Sequence, residues 1–307
     1  MDSLYQIYGI SFKTSYPFSY NLLPSDQPPQ LQFTGGGYCK NYLLQGKVLR
    51  QGGHNEGDIS LYRSQTHDTI IFENIAAFEC GDDWIKGYML MNQDQFLLEI
   101  CFIGHVLAYW LERRGTLMLH ASSLKVREGA VAFMAESTGG KTTTAAALLA
   151  AGYSLITDDI LPVNIRHKDV FASPGFPQMK LLPDQLELFN QRAQDYDKIH
   201  PLFEKRRIPI GESMGSFYNG ELPLKTLYLL DKSETGEPYS SPVKSTEALF
   251  ALIRHSFAAE LLDSGDRSRE RLNRLGEIVK GIEIKRLHIP RGYDKLPALV
   301  DFIIQDA

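Results

Sequence analysis

The sequence predicts an α/β fold: a P-loop core over residues 94–307, behind a β-rich N-terminal domain over residues 1–93. Three observations carry that reading. Residues 131–159, VAFMAESTGGKTTTAAALLAAGYSLITDD, read as strand, glycine-containing turn, Lys-Thr, helix and strand, the order of a strand–loop–helix phosphate-binding unit. Paired carboxylates, Asp158 and Asp159, close the second strand of that unit. Ahead of it, short runs of β-branched and aromatic residues alternate with turn residues.

In chain order, the N-terminal runs are YQIYGISF, LQF, YLLQGKVL, ISLYRS and TIIFEN. Gly35-Gly36-Gly37 leads into no Lys-Ser/Thr and no helix, so it reads as a flexible hairpin turn. A helix over 94–113 follows. Its apolar stretch, FLLEICFIGHVLAYWL, is broken by Glu99 and His105 and is short for a bilayer, which predicts a buried helix and no membrane. TLMLHASSLKVREGAVAFMA reads as strand, hairpin with Glu128-Gly129 at the turn, and strand. Good helix formers in TTTAAALLAA predict the loop helix, with Gly152 at its C-cap. LPVNI and KDVFA continue the β pattern, and LPDQLELFNQRAQ has helical spacing with Pro183 in the first turn. TLYLLD reads as a strand, SETGEPYSSP as an exposed loop, and helices are expected at about 245–258 and 266–280. Strand IEIKRLHIP and a helix near 296–305 complete the chain.

The chemistry sits in the loop. Ala135 through Thr142 match G-x-x-x-x-G-K-[ST], with Ala135 in place of the first glycine. A turn entering a helix N-terminus aims unpaired N–H groups at one point, where the helix dipole favours an anion. Gly139 and Gly140 let the backbone curl around a phosphate, flanked by Ser137, Thr138 and Thr143. Lys141 reaches the β- and γ-phosphates in such a loop, and the Thr142 hydroxyl meets Mg²⁺. ATP and Mg²⁺ are thus the implied ligands. The bland alternative is a glycine-rich turn that binds nothing. Asp158 and Asp159, on the rim where parallel strands end, can hold Mg²⁺ through water and accept a hydroxyl proton. Thr142 and Asp159 are read as metal ligands, and Asp158 and Asp159 as catalytic carboxylates. The order of base and metal roles between the two stays open.

These residues resemble the HPr kinase/phosphorylase superfamily, in which a histidine precedes the phosphate loop and Asp-Asp ends the strand after the loop helix. Here that order is His120-Ala121-Ser122, AESTGGKTT and LITDD, with 21 residues from His120 to Lys141 and 17 from Lys141 to Asp158. The text ERRGTLMLHASSLKVREGAVAFMAESTGGKTTTAAALL is similar to HPr-kinase-like proteins of bacterial peptide-biosynthesis clusters, including the lasso-peptide kinases. The strong part of the resemblance covers about residues 110–165, with weaker echoes in YGISFKTSYPF, PGFPQMKLLPD, LYLLD and LIRHSF. It implies an HPr-kinase-like core and ATP-dependent phosphorylation of a serine hydroxyl on a precursor peptide. It also implies a site role for His120, on the γ-phosphate or the acceptor hydroxyl. No E-x-R-G-L-G segment follows the Asp pair; FASPGFPQMKLLPD stands there instead. That points away from the HPr protein as substrate and from reverse phosphorolysis.

Composition bounds the rest. A hydrophobic fraction of 43%, net charge of −5 and pI near 5.9 describe a globular chain without a dominant nucleic-acid-binding surface. Cys39, Cys80 and Cys101 are odd in number and lack C-x-x-C, which suits a reducing cytoplasm and predicts neither disulfides nor a zinc site. MDSLYQIYGIS lacks the basic and apolar regions of a signal peptide. A homo-oligomer is compatible with these bounds. For substrate contacts the candidates are Lys180, Arg206 and Arg207 of the Lys205-Arg206-Arg207 run, and Arg254 beside His255. Each has the alternative of a solvated or structural cation. Two other functions remain alongside a peptide kinase: a kinase of a small-metabolite hydroxyl, and an ATP-sensing regulatory protein that transfers nothing.

Overall fold

A computed structural model describes residues 2–307 except 40–41, 43–45, 55–56, 91–94, 188, 202, 212–213, 258–260 and 262–265, with backbone alone at 50–54, 57–58 and 266–267. The chain forms two compact units, Met1–Gly115 with Ala258–Arg269, and Thr116–Phe257 with Glu270–Ala307. The boundary expected between 93 and 94 lies outside the described residues, and the division falls after Gly115 instead.

The first unit is a nine-stranded sheet: β1 (Ser3–Ile7), β2 (Ile10–Thr14), β3 (Leu23–Pro24), β4 (Leu31–Tyr38), β5 (Lys47–His54), β6 (Gly57–Arg63), β7 (Asp68–Phe72), β8 (Ala76–Cys80) and β9 (Trp84–Met89). They lie in the order β3-β1-β2-β4-β9-β8-β7-β6-β5. The glycine triplet is no hairpin turn. It lies inside β4, where the register with β9 shifts between Thr34 and Gly37 and Gly36 takes φ +105°, the mark of a bulge.

Helix α1 (Gln95–Cys101) runs through a π turn (Phe102–Val106) into α2 (Leu107–Glu112). The span 95–112 is long and apolar enough to cross a membrane by composition, but 67% of it is buried in the protein. Its burial explains its place in the first unit. Phe102 stacks on Phe33 at 3.8 Å, and fully buried Glu99 accepts from the Ser19 backbone N–H at 3.1 Å.

The second unit carries β10 (Leu117–Leu119), β11 (Ser122–Val126), β12 (Gly129–Met134), α3 (Lys141–Ala150), β13 (Ser154–Thr157), β14 (Leu161–Arg166) and β15 (Asp169–Ala172). There follow β16 (Gln178–Leu181), α4 (Pro183–Glu187), β17 (Arg206–Pro209), β18 (Ser216–Phe217), β19 (Leu222–Lys232) and β20 (Tyr239–Pro242). Helices α5 (Ser245–Arg254) and α6 (Asp266–Gly281), strand β21 (Glu283–Ile289) and helix α7 (Leu296–Asp306) end the chain. The mixed sheet runs β10-β14-β15-β19-β12-β11-β13-β18, with β21 joining β19 to β20, and β16 and β17 form a separate ribbon.

Strand β12 is buried on both faces, which is why its sequence is apolar without alternation. Val131 and Phe133 pack with Leu148 of α3 and Leu299 and Ile303 of α7. Ala130, Ala132 and Met134 face the opposite layer, with Leu161, Leu252 and Leu275. The expected strand through His120 is broken there: β10 pairs with β14, whereas β11 pairs with β12 and β13. The helix expected over 182–194 stops at Glu187, since Asn190 takes the left-handed φ of +56° and only a 3-10 turn, Ala193–Asp195, follows.

Candidate functional site

The turn between β12 and α3 is held tightly. The Gly139 N–H donates to the Glu136 carbonyl at 2.9 Å, while Thr138 and Gly140 adopt φ of +62° and +93°. A Cβ on Gly139 would stand 2.6 Å from the Ala135 methyl. The alanine at the motif's first position therefore fits because residue 139 has no side chain. A Cβ on Gly140 would stand 2.8 Å from Ile289 Cδ1, at a φ that side chains resist. Ser137 and Thr138 lie exposed at the tip. The Lys141 ammonium is folded over the loop, donating to the Ala135 carbonyl at 3.2 Å; burial lowers its pKa.

The carboxylates share the loop's rim for a reason other than the one expected. Strands β12 and β13 are not neighbours; each runs antiparallel to β11, which lies between them. Two strands antiparallel to one are parallel to each other, so the loop and the Asp pair emerge on the same side. Strand β11 starts at that rim, and its Ser122 hydroxyl donates to Asp158 Oδ1 at 2.8 Å. The Lys180 backbone N–H donates to Asp158 Oδ2 at 3.2 Å, and the Thr142 hydroxyl lies 3.5 Å from Oδ1.

Asp159 is set differently. It takes φ +66°, and its carboxylate pairs with the Lys180 ammonium at 2.9 Å, the two side chains being 20% and 27% exposed. Burial, and then the charge of Asp159, raise the pKa of Asp158. Burial acts on Asp159 in the same sense, but the charge and hydrogen bond of Lys180, joined by His120 and Lys205, together make the net shift downward. His120 lies in the break between β10 and β11, its backbone N–H donating to the His255 carbonyl at 2.6 Å and its ring stacked 6.0 Å from Phe257. Burial first, and Lys141 second, push the imidazole down to about 4.

The residues fit a hard divalent cation sharing its shell with phosphate oxygens. Among the described residues no cluster of three or more His, Cys, Asp or Glu is poised for a metal. One hydroxyl and one buried carboxylate stand side by side, as Mg²⁺ requires when a nucleotide supplies further ligands. The carboxylate beside Thr142 is Asp158; Asp159, read from sequence as the metal ligand, is held by Lys180 instead.

Of the sequence-derived candidates, Lys141, Thr142, Asp158, Asp159, His120 and Lys180 come together. The Thr143 hydroxyl accepts from Gln185 Nε2 at 2.7 Å. Arg254 pairs with Glu136 of the loop at 3.1 Å, both largely exposed. Arg207 is buried and donates to the Ile199 carbonyl at 2.7 Å, a structural contact. Arg206 lies opposite Leu181 in the ribbon, one position out of register with the Lys180–Arg207 pair, so it points to the other face. Within that run, the charge of Lys205 is felt by both Lys141 and Asp159. Ser122, read from sequence only as a neighbour of His120, and Gln185, which carries no motif, were given no role there.

No protein-family model matches the chain, and no curated protein matches it. Among solved structures it is similar to the Hpr(Ser) kinase/phosphatase from Coxiella burnetii, at 16% identity over 62% of this chain and 94% of that one, with a TM-score of 0.34.

Proposed function

We propose that the chain is an ATP-dependent kinase that phosphorylates a serine hydroxyl of a ribosomally made, lasso-type precursor peptide. The observation that carries the kinase reading is the Thr142 hydroxyl and Asp158 carboxylate at 3.5 Å beside a closed phosphate loop, next to the Asp159–Lys180 pair. A nucleotide sensor needs the loop alone. Transfer also needs carboxylates and cations at the γ-phosphate, and both kinds of group converge here. The peptide as acceptor rests on the sequence resemblance around residues 110–165.

In this reading the loop N–H groups and Lys141 bind the phosphates, and Thr142 with Asp158 holds Mg²⁺. The cation, when bound, neutralises charge on the β- and γ-phosphate oxygens. Ser122 and the Lys180 N–H orient Asp158. Asp159, the more open carboxylate, receives the proton of the attacking hydroxyl at its Oδ atoms. Its low basicity is tolerable because phosphoryl transfer depends mainly on positioning and electrostatics. Lys180 and Lys205 supply positive charge where the transferred group passes. His120, neutral at pH 7, offers a ring nitrogen to the γ-phosphate or the hydroxyl. The substrate test is mass spectrometry of a serine-ended precursor peptide incubated with the protein and ATP·Mg²⁺. The peptide gains about 80 Da per phosphate, and a serine-to-alanine peptide gains nothing. Equal labelling of the alanine peptide, or transfer only to a free sugar or amino acid, overturns the peptide reading.

A further inference from the structure

The acid pair marks the transfer end of the loop, so the nucleoside must leave the loop elsewhere. The segment after Lys180 shows where. Lys180 touches both aspartates, and five residues on, Gln185 donates to the Thr143 hydroxyl on the first turn of α3. Gln185 is itself fixed, its Oε1 accepting from the Leu182 N–H at 2.8 Å. Its neighbour Asp184 accepts from the Tyr293 hydroxyl at 3.4 Å. A line of contacts thus leads from the aspartates across the helix N-terminus to one aromatic ring.

A second tether reaches the same ring from the other direction. Ile289, the last residue of β21, packs against Gly140, its Cδ1 2.8 Å from where a Cβ there would stand. Four residues later, after a turn at Gly292 with φ +99°, comes Tyr293, 44% exposed at the start of a 3-10 turn. A side chain on Gly292 would strike Asp294 Oδ1 at 2.4 Å, so this turn is built for glycine. Tyr293 is one of few large exposed apolar side chains among the described residues, and the contacts that hold it lead back to the phosphate loop.

We propose that the Tyr293 ring is the stacking platform for the base of the bound nucleoside triphosphate, held in place by Asp184. The inference rests on the phosphate-loop reading above. Aromatic rings stack on any base because every base has a π-face, so the platform supplies affinity for nucleoside over bare polyphosphate. The phenol serves as an anchor. Burial and the Asp184 carboxylate hold its pKa above the ordinary value, so it remains the donor.

The test is calorimetry with ATP·Mg²⁺ and with inorganic tripolyphosphate·Mg²⁺, on the wild-type chain, Tyr293→Ala and Tyr293→Phe. The expected result is ATP binding weakened about tenfold or more in Tyr293→Ala, with tripolyphosphate binding unchanged. Tyr293→Phe, which keeps the ring, stays within a few-fold of wild type for ATP. ATP affinity unchanged in Tyr293→Ala overturns the platform while leaving the loop intact. So does an equal loss for both ligands. A wild-type chain that binds neither ligand overturns the phosphate-loop reading, and the platform with it. Far-UV circular dichroism on each variant separates lost binding from lost folding.

Discussion

Replacing Lys180 by methionine tests the electrostatics of the acid pair. The change keeps an apolar stem and the backbone N–H that serves Asp158, and removes only the ammonium 2.9 Å from Asp159. Breaking a fully buried pair costs about 3–5 kcal/mol, and an exposed one about 0–1 kcal/mol. Side-chain exposures of 27% and 20% put this pair between those limits, so about 2 kcal/mol is expected at pH 7. For a unit of this size that is a fall of roughly 4–8 °C in Tm. The pH dependence is the sharper part. Lys180 holds the pKa of folded Asp159 below its unfolded value of about 3.9. The pair's contribution is therefore complete above that value and is lost as the pH falls through the folded pKa. Without the ammonium, burial and Asp158 raise Asp159, so the variant regains stability on acidification while the wild type does not. The stability gap should stay near its full value at neutral pH and narrow as the pH falls towards pH 4 and below. Trp84 and Trp110 both belong to the first unit, so far-UV circular dichroism is the signal to follow in urea. A gap that stays flat or widens towards pH 4 refutes the argument.

Two further outcomes are expected. Lys141→Ala loses charge-assisted contacts worth roughly 2–4 kcal/mol, so calorimetry should show ATP·Mg²⁺ binding weakened by more than an order of magnitude in a folded protein; unchanged affinity contradicts the loop assignment. His120, pushed down to about 4 by burial and Lys141, should remain neutral from pH 8 to pH 5 by ¹⁵N NMR. Its depressed pKa contributes stability above pH 6.5 that is lost on acidification, and a midpoint above 6 contradicts the buried setting.

Local features were legible in the sequence and nonlocal ones were not. Strand β12, the loop, helix α3 and strand β13 follow one another directly, and apolar runs punctuated by glycine and Lys-Thr suffice to read them. The two runs LPVNI and KDVFA were legible as β pattern, but the hairpin that joins them, turning at His167-Lys168 with φ of +51° and +77°, was not read as one. The insertion of β11 between β12 and β13 has no local signal, because strand neighbours are chosen by pairing across the sheet. The Ser122 contact with Asp158 was not legible for that reason. The ribbon is the harder case. Leu181 pairs with Arg206 across 24 intervening residues, so nothing in PGFPQMKLLPD alone says that Lys180 meets Asp159 or that Lys205 is near. The glycine triplet misled because bulge and turn use glycine for the same φ freedom. The helix over 182–194 was shortened because a helical apolar spacing does not reveal an asparagine in the left-handed region.

The central claim, that this loop and acid pair transfer phosphate rather than only hold nucleotide, is tested most directly by single-turnover transfer from γ-labelled ATP. The acceptor is a serine-ended precursor peptide, and the proteins are wild type, Asp158→Asn and Asp159→Asn. The account predicts label on the wild-type peptide and a fall of at least about 10²-fold in Asp159→Asn, with nucleotide still bound. Asp158→Asn should also fall, and raising Mg²⁺ should restore part of its rate, since it loses a ligand rather than the base. Transfer at the wild-type rate in both variants, or nucleotide bound by the wild type with no label ever transferred, contradicts the account.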